Sequence, residues 1–355
     1  MSFKINKKKK VLVTGGTGFI AGWIIKHLVE KGVTVHATVR DPDDKQKVAH
    51  LVELSENNPG EIILFKSDLL ERGSFNAAAK GCNIVFHTAS PFSFKFNDPV
   101  KDLINPALEG TKNVLETVNF TESVERVVLT SSCAAIYGDN DECEHAPNNT
   151  LTEAIWNNTS SPSHNPYSYS KTIAEREAWK LADAQKRWSL VVINPPVVLG
   201  PTVSGKSTSA SHDMCLQLGD GTMKSGAPPI EVGMVDVRDV ADAHIRAAYI
   251  SKAAGRHIVF KETTTPLKLS QMLQEKYGQN YPLPTKELPK WLVWLVGPLL
   301  DKTMTRRLIA KNMGHKWRAD NSKSREELGM EYRSLDSSIN EMFQQMIDQG
   351  YIKPL

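Results

Sequence analysis

Val11-Leu12-Val13-Thr14-Gly15-Gly16-Thr17-Gly18-Phe19-Ile20-Ala21-Gly22 decides how the rest of the chain is read. Four residues with strand character run into glycines, and an amphipathic pattern then restarts with Phe19, Ile20, Trp23, Ile24 and Leu28 at helical spacing. A strand, a glycine turn and a helix in that order make a seat for a dinucleotide. Gly15 permits the tight turn, Gly18 lets backbone approach a pyrophosphate, and the amides opening the helix point at that anion. Thr17 lies between the two glycines, and small Ala21 lets the helix lie close to the sheet.

Outward from this seat, short β-branched runs alternate with amphipathic segments. Strands are predicted at 34–39, 62–65, 84–88, 126–130 and 190–193, and helices over 41–55, 100–118 and 167–181. The runs are almost wholly apolar, as in strands covered on both faces. The expected architecture is therefore α/β, a doubly wound parallel Rossmann sheet with a smaller, irregular, mostly helical C-terminal substrate lobe. Residues 1–200 are predicted to form the dinucleotide-binding domain, with 236–262 returning to it. Residues 201–235 and 263–355 are assigned to the lobe, with loops at 203–211 and 219–229 and a last helix over 335–347.

Composition narrows the partners. A formal charge of +3 over 355 residues offers no case for nucleic acid. The run Lys7 to Lys10 reads as a solvated flank of the first strand, since no small-residue cleavage pattern follows it. Cys82, Cys133, Cys143 and Cys215 are scattered without a Cys-x-x-Cys pair, which points to free thiols and a cytoplasmic protein. The histidines show no metal-ligand spacing, so no metal is expected. The most apolar run, Trp291 to Leu300, is too short to span a bilayer. It reads as an interfacial anchor, a cover for a substrate pocket or a dimer seam.

Chemistry concentrates at three places. Arg40 closes the second strand about twenty-five residues after the first glycine, where an adenosine ribose is read. An arginine there suits a 2′-phosphate, Lys47 can reach the same group, and NADP(H) is favoured over NAD(H). Asp68 ends the third strand, placed either to meet an adenine amino group or to cap the next segment. Tyr167 and Lys171 stand four residues apart on one helix, sharing a face, so an ammonium is expected to lower the pKa of a phenol. Thr130-Ser131-Ser132-Cys133 ends the fifth strand at the carboxyl edge, where hydroxyls can hold a carbonyl oxygen. Cys133 has no histidine partner in sequence and reads as lining.

Taken together, the seat, Ser132, Tyr167 and Lys171 resemble the extended short-chain dehydrogenase/reductase superfamily. Ala37-Thr38-Val39-Arg40-Asp41-Pro42, Gly81 to Pro91, Leu129-Thr130-Ser131-Ser132 and Val235 to Ala241 resemble its branch of dihydroflavonol, cinnamoyl-CoA and microbial carbonyl reductases. That resemblance implies Tyr167 as general acid, Lys171 as holder of the nicotinamide ribose, and Ser132 rather than Ser131 as the residue that orients the carbonyl. It also implies that Phe19 and Ile20 follow the pyrophosphate, Arg40 and Lys47 the 2′-phosphate, and Asp68 and Leu69 the adenine. Thr88, Ala89 and Ser90 run along the cofactor, and Pro195 and Val198 line the nicotinamide. Phe92 and Tyr137 are expected to face the substrate. Tyr137 stands where dihydroflavonol reductases place an asparagine, and Asn165-Pro166-Tyr167-Ser168-Tyr169-Ser170-Lys171 departs from the cinnamoyl-CoA reductase signature. An apolar or aromatic aldehyde or ketone is the expected substrate. The rival readings are a nucleotide-sugar epimerase or dehydratase that returns its hydride, and a dinucleotide-binding sensor without turnover. A homodimer through two helices of the first domain is implied by analogy alone.

Overall fold

A computed structural model describes residues 3–90, 97–205, 209–300 and 304–354. Its strands are β1 (Val11–Thr14), β2 (Val35–Val39), β3 (Ile62–Lys66), β4 (Ile84–His87), β5 (Arg126–Thr130), β6 (Ser189–Asn194), β7 (Val197–Leu199), β8 (Val232–Asp236), β9 (Gly255–Ile258) and β10 (Glu262–Thr264). Helices are α1 (Phe19–Glu30), α2 (Lys45–Glu56), α3 (Asn76–Ala79), α4 (Asn105–Phe120), α5 (Pro166–Asp183) and α6 (Ala210–Gly219). They continue with α7 (Val237–Tyr249), α8 (Pro266–Tyr277), α9 (Lys290–Leu300), α10 (Arg306–Asn312), α11 (Ser322–Glu327) and α12 (Leu335–Asp348).

Seven strands form one parallel sheet in the order β3-β2-β1-β4-β5-β6-β9. Order reverses on either side of β1, and β1 is in register with both neighbours, Val11 opposite Val35 and Ile84. The glycine turn after β1 therefore opens at the switch point, where such sheets take their ligands. Alternation along β1 feeds two cores. Val11 and Val13 pack with Ile24, Ile25 and Leu28 of α1 and Val240 of α7, while Leu12 packs on the other face with Val114, Leu115 and Val118 of α4 and Ala178 of α5.

Local chemistry moves some boundaries from those expected. The helix expected from residue 41 starts at Lys45, because Asp44 accepts the Lys47 amide at 3.2 Å and so caps it. The helix expected from residue 100 opens with a wide turn, Val100–Ile104, in which the Asn105 amide bonds the Val100 carbonyl. Pro106 has no N–H for the carbonyl one turn back, and the widened turn absorbs that loss. The region after Pro201 is more regular than expected, since α6 covers part of the predicted loop at 203–211. A small second sheet, β10-β8-β7, links the lobe to β6. β7 and β10 have three residues each and β8 is interrupted by Gly233, so none announces itself, and pairing between segments roughly thirty to forty residues apart fixes them.

The apolar run near residue 291 is helix α9. Its inner residues Val293 and Gly297 sit toward Ile309, while Trp291, Trp294, Leu295, Leu299 and Leu300 are exposed and Arg306 stacks over Trp294 at 4.6 Å. Among the described residues, no helix is long and apolar enough to cross a membrane.

Candidate active site

The turn after β1 is built as a cradle. Gly15 has φ +69°, and a Cβ there would stand 3.1 Å from the Ala89 side chain and 3.2 Å from its backbone. A Cβ on Gly18 would meet the Gly15 carbonyl at 3.0 Å. Thr38 holds the turn from β2, taking the Gly15 amide on its hydroxyl at 3.2 Å and the Gly16 amide on its carbonyl at 2.8 Å. Helix α1 starts after extended Gly18 with no side-chain cap and no acid in its first turn, so its leading amides remain available to an anion. Thr14 Oγ1 accepts the amides of Thr88 at 3.1 Å and Ala89 at 3.0 Å, which locks the end of β4 against this turn. The cradle fits the pyrophosphate of a dinucleotide.

At the end of β2, Arg40 is exposed. Lys47 is engaged by Asp44, its Nζ 2.7 Å from Oδ2, so its ammonium is shared between that carboxylate and any phosphate it meets. Asp68 is exposed at the end of β3, with Oδ1 taken by the Leu70 amide at 2.8 Å; its carboxylate acts as a local cap. Leu69 packs against Gly110, where a Cβ would come within 3.0 Å of its side chain.

Helix α5 starts from an unusual corner. Asn165 is left-handed, φ +56°, and its side chain donates to the Gly138 carbonyl at 2.6 Å, while Pro166 supplies the preset first helical turn. Next to it, His164 and buried Asp139 pair at 2.6 Å. This brace aims Tyr167 and Lys171 at the carboxyl edge of the sheet. The Tyr167 phenol faces the Ser132 hydroxyl, which accepts the Ala134 amide at 3.1 Å and donates to the Pro195 carbonyl at 3.3 Å. Lys171 Nζ donates to Ser90 Oγ at 3.0 Å and lies 5.7 Å from the centre of the Tyr167 ring.

The electrostatics correct one expectation. Burial pushes the Tyr167 phenol up to about 12, the Ser132 hydrogen bond opposes this, and Lys171 is not among the causes. The lysine is itself desolvated: burial pulls it down to about 8, with Glu175 opposing. Tyr167 is thus fully protonated near neutrality, the form in which it can donate.

The two serines point apart. Ser132 faces Tyr167, whereas the Ser131 hydroxyl turns inward to Glu175. Cys133 donates to the Asn194 carbonyl at 3.2 Å and burial pushes its thiol up, which removes it as a nucleophile. Val198 lies in β7 against the main core, and Tyr137 packs edge-on to Trp317 with centroids 6.1 Å apart. Phe92 lies outside the described residues. Glu175 and Arg256, both buried beneath Ser132, escaped the sequence reading. The spacing held a signal for Glu175, which follows Lys171 by the same four residues that separate Lys171 from Tyr167.

A parallel sheet with a glycine cradle at its switch point and Ser, Tyr and Lys beside it defines an oxidoreductase of the extended short-chain dehydrogenase/reductase class. The model of the NAD dependent epimerase/dehydratase family matches residues 11–259, and the chain belongs to that family. It is similar to cinnamoyl-CoA reductase CAD2 of Medicago truncatula, 39% identical over 283 residues, covering 79% of this chain and 82% of that one. Among solved structures it is similar to Gre2 of Candida albicans in complex with NADPH, at 32% identity and TM-score 0.77, covering 96% and 99% of the two chains. It is also similar to the yeast methylglyoxal/isovaleraldehyde reductase Gre2 complexed with NADPH, at 27% identity and TM-score 0.75, covering 97% and 100%.

Proposed function

We propose that the chain is an NADPH-dependent reductase converting an apolar or aromatic aldehyde or ketone to its alcohol in the cytoplasm. The observation that carries this reading is the meeting of Ser132, Tyr167 and Lys171 at the same sheet edge as the Gly15–Gly18 cradle. NADPH, when bound, supplies the hydride. The cradle and the first amides of α1 hold the pyrophosphate, and exposed Arg40 takes the 2′-phosphate. Residues 1–200 with 236–262 make this binding domain, and 201–235 with 263–355 the substrate lobe.

Each side chain then has a task. Ser132 donates a hydrogen bond to the carbonyl oxygen and fixes its position against Tyr167 Oη. As negative charge develops on that oxygen, Tyr167 delivers its proton, and the Lys171 ammonium stabilises the phenolate left behind. Placement in the cytoplasm is supported by four free, buried cysteines.

The test is NADPH consumption followed at 340 nm against a panel of aromatic and aliphatic aldehydes, α-dicarbonyls, a dihydroflavonol and a cinnamoyl thioester. Turnover with one carbonyl class and preference for NADPH is the expected result. Tight dinucleotide binding without consumption on the whole panel rejects the reductase reading and moves the search to sugar nucleotides.

Two further expectations belong here. Arg40→Ala removes the cation aimed at the 2′-phosphate and should lower the preference for NADPH over NADH by about tenfold, roughly 1.4 kcal/mol, in kcat/KM for the two cofactors. An unchanged ratio assigns the phosphate to other residues. Lys171 has to be charged, and burial holds it near 8, so kcat/KM for NADPH is expected to be full below that pH and to fall as pH rises through it. A flat profile to pH 10 removes Lys171 from the site.

A further inference from the structure

Beneath Ser132 and Lys171 lies a second constellation that the proposed chemistry leaves unused. Glu175 stands one turn beyond Lys171 on α5 and is 1% exposed. Its Oε2 accepts from Ser131 Oγ and, at 2.9 Å, from Asn194 Nδ2; its Oε1 accepts from Arg256 Nε at 2.6 Å and Trp179 Nε1 at 3.3 Å. Arg256 is buried in turn, its other nitrogens reaching the carbonyls of Glu153 at 2.9 Å, Ile155 at 2.6 Å and Ala135 at 3.2 Å. Asn194 Nδ2 also donates to the Ser132 carbonyl at 3.1 Å. One carboxylate therefore joins the ends of β5, β6 and β9 to the helix that carries Tyr167 and Lys171.

Stability alone is a poor reason for this arrangement, because a well-packed apolar replacement of a buried ion pair is often neutral or stabilising. Its location gives a better one. Among the described residues, the groups facing Lys171 are Tyr167 and Glu175 on its own helix, Ser90 after β4, and His87 of β4. Burial pulls the His87 imidazole down to about 3, so it carries no charge there. Cys133, at the end of β5, has its thiol pushed up and is neutral as well, and the Arg256 charge is spent on Glu175. Glu175 is the group whose charge opposes the desolvation of Lys171.

We propose that Glu175 is the positioning residue of this site. Held by Arg256, Asn194 and Ser131, its carboxylate keeps the Lys171 ammonium charged in a buried setting and pins the Ser131–Ser132 strand end so that the Ser132 hydroxyl meets Tyr167. This rests on the roles proposed above for Ser132, Tyr167 and Lys171.

The sign follows from the charges. Without the carboxylate, desolvation of Lys171 is unopposed, and the loss of activity with rising pH starts earlier. Glu175→Gln is the direct variant, but it leaves the Arg256 cation alone in the interior, which can prevent folding. Glu175→Gln with Arg256→Gln removes both charges together, at the cost of the Arg256 donors that reach the carbonyls of Glu153, Ile155 and Ala135. Where Glu175→Gln folds, the alkaline limb of kcat/KM for NADPH should move to lower pH by on the order of one unit; in the double variant the lost Arg256 cation offsets part of that shift, so the limb moves in the same direction by less, and kcat should fall about tenfold in either. A folded variant with the wild-type limb and wild-type kcat overturns the proposal and leaves Glu175 a structural residue. If neither folds, Ser131→Ala decides, since it cuts one tie between Glu175 and the strand end without touching a charge. A kcat several-fold lower at unchanged KM supports the proposal, and an unchanged kcat overturns it. Failure of the underlying site assignment shows separately, as turnover retained by Tyr167→Phe.

Discussion

Tyr167→Phe is expected to bind NADPH as the wild type does and to lose about 10²–10⁴-fold in kcat, the usual worth of a general acid in the transition state. The substitution removes one oxygen. The ring, its stacking distance to Lys171 and the course of α5 remain, so the cofactor keeps its place while the developing alkoxide loses its proton donor. Stopped-flow measurement of hydride transfer beside a fluorescence titration of NADPH separates the two effects. Because the phenol is pushed up to about 12 by burial, it is protonated across the neutral range, and the wild type should show no loss of acid function between pH 6 and 8 from this group. Turnover within a few-fold of wild type would assign the acid to another residue.

Gly15→Ala is expected to weaken NADPH binding by at least about tenfold while leaving the sheet intact. Two costs add. An alanine in the left-handed region is strained by about 1–2 kcal/mol. Its Cβ would also stand 3.1 Å from the Ala89 side chain and 3.2 Å from Ala89 Cα, and backbone tied to Thr14 has little room to retreat. Relief comes by shifting the turn, which drags the Gly18 end of the cradle and the first amides of α1 off their line, since the Gly18 amide is bonded to the Gly15 carbonyl at 2.8 Å. Titration of NADPH with a thermal melt of the free protein checks this. Unchanged affinity would place the pyrophosphate elsewhere.

The parallel sheet was readable because β1 to β6 are short runs rich in β-branched residues, β9 with Gly255-Arg256-His257-Ile258 being the exception, and the helices because their apolar residues recur at helical spacing. The Tyr167–Lys171 face was readable for the same local reason. The readings at Lys47 and in the electrostatics of Tyr167 were less complete. Sequence shows that Lys47 is a cation near the end of β2. That Asp44 holds it at 2.7 Å depends on where α2 starts. Spacing likewise puts an ammonium near the phenol, while burial decides the sign of the shift, and burial belongs to the whole fold.

What the chain determined by itself are features complete within a few residues: the positive-φ glycine after β1 and one helical turn between Tyr167 and Lys171. Their stereochemistry is local and does not wait for the rest of the molecule. What only the tertiary structure decided is everything that depends on strand order. Ser131, Glu175, Asn194 and Arg256 are brought together because β5, β6 and β9 are neighbours at one sheet edge. No periodicity marks such a meeting, since each contact closes a loop of its own length and is held only when the whole sheet has formed.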